Sequence, residues 1–186
     1  RVGLKEVLGN SLYGTMPLGG VIMNIKKQCE EVFTTTGSYW KKSKKLEKSL
    51  FMKQFLNEVG LNLNYKYDPN SKTFDKEMKE LKYRYFVMCV DQDLDGKGNI
   101  LGLFLSMIEC WWPNLFAIGA IKWFETPIVR CYPTAGGNVL SFYNTYSYES
   151  WASTANVSKY EIKYYKGLGS HERDESIEMF EMYNEH

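Results

Sequence analysis

The chain predicts an α/β fold with a mostly parallel sheet flanked by helices, and two apolar segments and the join between them carry that prediction. Residues 83–90, YRYFVMCV, are rich in aromatic and β-branched types without polar alternation, as suits a strand buried on both faces of a parallel sheet. Farther on, Ile100, Leu103, Phe104, Met107, Ile108 and Trp111 recur at helical spacing and make one apolar stripe. Between strand and helix stand Asp91, Asp93 and Asp95 at alternate positions, followed by Gly96. Carboxylates at the C-terminal end of a buried strand, just before a helix, occupy the place where open α/β sheets bind ligands. Held so close, they repel one another unless a cation sits among them. All-oxygen donors suit a hard cation, and Mg²⁺ is the one expected.

The remaining elements follow in order. Residues 1–25 are rich in glycine and read as a short helix over Val2–Leu8, then loop, then an extended PLGGVIMNI in which Gly19-Gly20 makes a tight turn. Residues 26–50 concentrate Lys26, Lys27, Lys41, Lys42, Lys44, Lys45 and Lys48, which is either a solvated helix face or an electrostatic footprint for phosphate. Within that stretch TTTGSYW, residues 34–40, reads as an exposed loop. A helix fits residues 44–59, with Met52, Phe55, Leu56 and Val59 on one stripe and Gly60 just past its end. Asp68-Pro69-Asn70 marks a turn, and Phe74–Leu81 a brief helix leading into the central strand.

Past the aspartates, Trp112-Pro113 stops the helix, because a residue before proline avoids the helical region. Residues 121–132 form a strand interrupted at Pro127, and a Gly136-Gly137 hairpin turn joins it to residues 139–144. Tyr146–Ala155 is a short helix and residues 160–166 another strand. The GLGS turn then leads to a last helix from about Glu172, with Ser170 as its N-cap and Glu172 and Asp174 at its positive end.

Composition bounds the function. With 44% hydrophobic and 16% aromatic residues the chain is folded, and its length fits one domain or at most two small lobes. Charge is balanced, 23 basic against 22 acidic residues, so net charge selects no partner. Cys29, Cys89, Cys110 and Cys131 show no paired spacing and read as reduced thiols, which points to an intracellular compartment. No apolar stretch reaches membrane-spanning length, so no membrane partner is expected, and Arg1 opens no signal peptide. A missing initiator methionine suggests a segment of a longer protein.

The spacing of Asp91, Asp93, Asp95 and Gly96 also matches the first half of an EF-hand loop. That loop needs a glutamate at its twelfth position and a helix leading in; here the twelfth residue is Gly102 and the preceding segment reads as a strand. A purely structural acidic turn would cost stability with nothing to offset the repulsion.

The run VDQDLDGKGNILGLFLSMI, followed by WPNLF, TPIVR and KYYKGLGS, resembles the metal-binding TOPRIM domain of type II DNA topoisomerases, in their eukaryotic and large-DNA-virus branch. The resemblance runs in order from about Arg1 to His186, and its most specific parts are Asp91–Gly96 and Lys163–Gly169. It implies a Rossmann-like TOPRIM sheet missing its first strand. Asp91 and Asp93 would ligate Mg²⁺, with Asp95 completing the acidic cluster directly or through water. Lys163, Lys166, Gly167 and Gly169 would meet DNA phosphate beside the cleavage site, the glycines allowing close backbone approach. The parent implied is a homodimeric isomerase that passes one DNA duplex through a transient double-strand break, using ATP bound on another domain. In a viral parent it would work in the host cytoplasm or nucleus.

The resemblance has gaps. The family's Glu-Gly-Asp-Ser-Ala motif, whose glutamate completes the metal site, is absent, since Arg1 begins after the point where it belongs. Basic residues usual in the PLGGV segment are replaced by Gly19 and Val21. Nothing resembles the winged-helix region that carries the nucleophilic tyrosine, and Tyr164 and Tyr165 read as alternating strand residues. The chain alone is therefore expected to be inactive. A TOPRIM nuclease or primase, and a non-catalytic DNA-binding module of the same fold, are the competing readings.

Overall fold

The computed structural model describes residues 12–18, 22–41, 43–167 and 171–183. The expected helix over Val2–Leu8, the Gly19-Gly20 turn, Gly169 and the Ser170 cap lie outside them. The chain divides into two compact units, one of residues 16–88 with 97–124, the other of residues 1–15 with 89–96 and 125–186.

In the first unit, helix α1 (Ile25–Gln28) is capped by Asn24, whose side chain accepts from the Lys27 amide. Strands β1 (Glu30–Thr34) and β2 (Gly37–Lys41) then pair antiparallel. This hairpin replaces the loop expected at residues 34–40. Val32, Phe33, Tyr39 and Trp40 are strand formers. The Thr34 hydroxyl closes the turn by donating to the Gly37 carbonyl at 2.8 Å, and Gly37 takes φ 137°. The helix expected over residues 44–59 is two, α2 (Lys44–Lys48) and α3 (Leu50–Val59), because Ser49 adopts an extended conformation and caps α3 by accepting from the Met52 amide. Met52, Phe55 and Val59 are buried, and Gly60 ends α3 in the left-handed region at φ 76°. A Cβ at Gly60 would lie 2.2 Å from the Glu80 carbonyl, so the close approach alone requires glycine.

The turn at Asp68 forms, with its carboxylate accepting from the Asn70 amide at 2.9 Å, and α4 (Phe74–Glu80) follows. Strand β3 (Phe86–Cys89) is shorter than expected: Phe86 and Met88 are buried, whereas Tyr83 and Tyr85 are exposed. It pairs with β4 (Ile121–Phe124). Helix α5 (Gly102–Trp111) buries Phe104, Met107, Ile108 and Trp111, as the apolar stripe requires. It is preceded by a π-helical stretch, Leu94–Leu101, where Gly96 and Gly98 favour no regular α-turn. Trp112 leaves the helical region before Pro113, and α6 (Asn114–Ala117) leads into β4.

The second unit is built on a three-stranded sheet in the order β6 (Leu140–Phe142), β5 (Val129–Pro133), β7 (Tyr160–Tyr164). Both ladders are antiparallel. Gly136 and Gly137, at φ 80° and 128°, make the turn expected between β5 and β6. Register places Val129 opposite Phe142 and Tyr164, and Cys131 opposite Leu140 and Ile162. That face carries the aromatic contacts from α7 (Thr145–Ala152): Phe142 lies 5.5 Å from Tyr148 and 5.3 Å from Trp151, ring centre to ring centre. The other face presents Arg130 beside Lys163, and helix α8 (Arg173–Tyr183) supplies the glutamates that meet them.

The mixed α/β character is borne out. The β1–β2, β5–β6 and β5–β7 ladders are antiparallel, however, and a mostly parallel sheet is not what they form. For two of the three the reason is in the connections: β1 to β2 and β5 to β6 are joined by short turns, and a parallel pair needs a long crossover. All four cysteines are free thiols. Among the described residues no helix is long and apolar enough to cross a membrane.

Candidate functional site

Residues 89–96 and the end of β7 belong to the same compact unit, and the two motifs singled out in the sequence meet there. Asp91 follows β3 after the buried Val90. Gly96 is buried on the Asp91 backbone: a Cβ at Gly96 would come within 2.1 Å of the Asp91 carbonyl oxygen. The Asp93 carboxylate accepts from the Gly96 amide at 2.7 Å, closing the turn. Asp91 is partly buried, whereas Asp93 and Asp95 are exposed.

Gly167 lies directly against the Asp91 side chain. A Cβ there would stand 2.8 Å from both Cγ and Oδ1 of Asp91 and 2.9 Å from Oδ2. Any larger residue would push the carboxylate away, so the glycine is needed for close approach rather than for an unusual φ. The neighbouring Lys166 is exposed.

Lys163 is placed differently. Its Nζ donates to Glu172 Oε1 at 2.8 Å and to Glu175 Oε1 at 3.0 Å. Those two bonds raise its pKa, the Glu172 bond most. Its charge is thus already met by two carboxylates, and a phosphate would have to compete with them.

Glu175 gathers four donors. Its Oε1 accepts from Tyr165 Oη at 2.5 Å, Tyr132 Oη at 2.7 Å and Lys163 Nζ at 3.0 Å. Its Oε2 accepts from the Glu172 amide at 2.8 Å, the reach of a third helical residue back to the N-cap that satisfies an otherwise orphaned donor. Burial alone would raise this carboxyl; the bonds from Tyr165, Tyr132, Glu172 and Lys163 overcome it and hold the pKa down at about 2. The same contacts push Tyr165 upward, burial contributing most and the Glu175 bond next.

Two further side chains complete this layer. Arg130, 2% exposed, donates from Nη2 to both oxygens of Glu178 at 2.8 Å. Its buried Nε and Nη1 have no hydrogen-bond partner. His171 stacks on Tyr165 at 4.1 Å between ring centres and 17° between planes. Both of its buried ring nitrogens are unpartnered, and burial lowers its pKa.

Of the site residues expected from sequence, the structure brings Asp91 and Gly167 together, leaves Asp93, Asp95 and Lys166 exposed, and commits Lys163 to an ion-pair cluster. The donors at Asp91 and Asp93 are hard oxygens, as Mg²⁺ prefers. Among the described residues no three His, Cys, Asp or Glu side chains come together as a metal-holding group. Sequence reading missed Glu175, Tyr132, Arg130, Glu178 and His171. The three-residue spacing of Glu172, Glu175 and Glu178 was the available signal, but it acquires meaning only once β5 and β7 place two cations opposite it.

Comparison with known proteins agrees with the motifs. Residues 124–186 match the family described as the C-terminal associated domain of TOPRIM, nearly the last segment of the second unit, residues 125–186. Over 92% of the chain it is 34% identical to DNA topoisomerase 2 of African swine fever virus. Over 97% it is 32% identical to DNA topoisomerase 2 of Drosophila melanogaster, and over 95% it is 34% identical to that of Arabidopsis thaliana. The chain spans only 14%, 11% and 11% of those relatives' lengths. A crystal structure of the Plasmodium falciparum topoisomerase II DNA-binding, cleavage and re-ligation domain matches 100% of the chain, with a TM-score of 0.78 and 28% identity, over 22% of that domain's chain. The likeness read from Asp91–Gly96 and Lys163–Gly169 is borne out.

Proposed function

We propose that this chain, which resembles type II DNA topoisomerases over nearly its whole length, is part of the DNA cleavage and religation core of such an enzyme. The observation that carries the reading is the contact between the two motifs: Gly167 seats its backbone on the Asp91 carboxylate. A duplex backbone reached by Lys166 and Gly167 would therefore lie beside the aspartates, where reacting phosphate must be.

Within this reading the chain supplies part of a TOPRIM fold, and Asp91 and Asp93 hold Mg²⁺ with Asp95 in the surrounding field. When bound, the ion stabilises negative charge on the phosphoryl and leaving oxygens of the DNA strand. The chain's own residues do the rest. The Asp93–Gly96 turn fixes where the carboxylates face, Gly167 permits close approach of a backbone, and Lys166 offers a flexible cation to phosphate. The nucleophilic tyrosine, ATP use and the homodimer belong to other parts of the parent, and double-stranded DNA is the substrate.

The test is cleavage by the full-length enzyme that contains this chain. Asp91→Ala or Asp93→Ala should lower the cleavage rate by at least about 10²-fold, since an electrostatic group acting at the reacting phosphate supplies at least that much. DNA affinity should change little, because phosphate contacts elsewhere position the duplex. Cleavage within a few-fold of wild type in both variants would remove the metal-site assignment.

A further inference from the structure

On the reading that Lys166 and Gly167 meet DNA, we propose that Glu175 is the positioning residue that fixes them against Asp91. Its bonds go to Lys163, Tyr132, Tyr165 and the Glu172 amide, and it acts on Lys166 and Gly167 through Tyr165. The Tyr165 amide donates to the Ile128 carbonyl at 2.9 Å, and its hydroxyl donates to Glu175 at 2.5 Å. The ring is 7% exposed and covered by His171. A residue anchored at its backbone, its ring face and its hydroxyl has little freedom left, and the next two residues are Lys166 and Gly167. Gly167 in turn has no room to shift toward Asp91 without meeting its carboxylate.

Glu175 suits this role because its bonds come from three directions. Tyr132 belongs to β5, Lys163 and Tyr165 to β7 and its end, and the Glu172 amide to the start of α8. One carboxylate thus ties both flanks of the segment between β7 and α8 to the central strand of the sheet. The geometry also explains why a glutamate, buried to 12% side-chain exposure, stands here. Arg130 and Lys163 are cross-strand neighbours, and like charges placed opposite one another oppose sheet formation. Glu178 answers the first and Glu175 the second. Neutralising the pair leaves Glu175 with acceptor capacity for the two tyrosines, so the ion pair and the anchor are one device.

Two measurements test this. In the 186-residue chain, hydrogen exchange should be about tenfold faster at the Tyr165 amide, which donates to the Ile128 carbonyl, in both Glu175→Gln and Tyr165→Phe, while the β5–β7 ladder keeps its wild-type protection, as expected for local opening after loss of a charge-assisted bond. In the full-length enzyme the same variants should slow single-turnover cleavage about tenfold at unchanged DNA affinity. The Glu175→Gln, Tyr165→Phe double variant should be no slower than the worse single one, because the two act through one bond. Unchanged exchange at the Tyr165 amide would overturn the positioning role, as would additive losses of cleavage in the double variant. Faster exchange with unaltered cleavage would overturn its tie to DNA chemistry. A normal Asp91→Ala enzyme would instead overturn the functional reading beneath it.

Discussion

Glu172, Glu175 and Glu178 stand three residues apart at the start of α8, and Asp91, Asp93 and Asp95 stand two apart after β3. Both are carboxylate triplets in one compact unit, and on charge alone both are costly. The glutamates face a sheet that presents Arg130 and Lys163, and each finds its counter-charge: Glu178 on Arg130, Glu172 and Glu175 on Lys163. The aspartates are held by their own turn, through Asp93 to Gly96, and by glycines that let chain segments lie close to Asp91. Asp93 and Asp95 face solvent. The glutamate triplet holds the fold through ion pairs to the sheet; the aspartate triplet is shaped by its own turn, with Asp93 and Asp95 on the exposed side. Spacing does not distinguish these uses, because the difference is made by what the neighbouring strands bring opposite.

The comparison breaks most clearly at Arg130. Glu178→Ala leaves a buried guanidinium that already has two nitrogens without partners. Breaking a fully buried pair costs about 3–5 kcal/mol; with Glu178 half exposed, water offsets part of this, and about 2 kcal/mol is expected. Arg130→Met, which removes the charge with the partner, should cost less. On the other side, Asp95→Asn should change stability by under about 0.5 kcal/mol, as surface substitutions do. Urea unfolding of the 186-residue chain measures all three. An Asp95 effect larger than that of Glu178 would reverse the assignment of which triplet holds the fold.

Next in size is the contrast between Lys166 and Lys163. Counterion release lowers the salt slope by about 0.9 for each phosphate contact on duplex DNA. Lys166→Ala in the full-length enzyme should reduce the slope of log K against log salt by about one unit. Lys163→Ala should leave it nearly unchanged, because its charge is already met by Glu172 and Glu175. Equal reductions in both would mean that DNA displaces the glutamates.

Much of this was legible in the sequence where one segment decides its own structure. The α5 stripe, the stop at Trp112-Pro113, the Gly136-Gly137 turn and the Gly60 cap each rest on local periodicity or backbone freedom, and each stands. The alternation of Tyr164 and Tyr165 stands too, at 62% and 7% exposed. What failed lacked a clear local signal or depended on partners distant in sequence. The hairpin at residues 30–41 was hidden by polar threonines, and the antiparallel β5–β7 ladder, unlike the β5–β6 hairpin, could not be inferred from runs that look alike in either direction. The acidic turn stood out from repulsion alone. Glu175 did not, because a glutamate in the first turn of a helix is ordinary until two tyrosine hydroxyls and a lysine converge on it.

The smallest effect expected is also the most specific to that convergence. Glu175 titrates at about 2 in the folded chain against an ordinary 4.5. A carboxylate with a depressed folded pKa binds fewer protons folded than unfolded, so its contribution is fully present above 4.5 and is lost as pH falls toward 2. From pH 7 to pH 4.5 the loss is only about 0.4 kcal/mol, because the unfolded group is then just half protonated. Between pH 6 and 8 Glu175 should therefore contribute no pH dependence, and the Tyr165 amide, bonded to the Ile128 carbonyl, should exchange with unchanged protection once the intrinsic exchange rate is divided out. Below pH 4 its protection should fall before that of the β5–β7 ladder. In Glu175→Gln that low-pH step should disappear, since the amide does not titrate. A step that persists in this variant would assign it to another carboxylate, and Glu172, which shares Lys163, is the one to replace next.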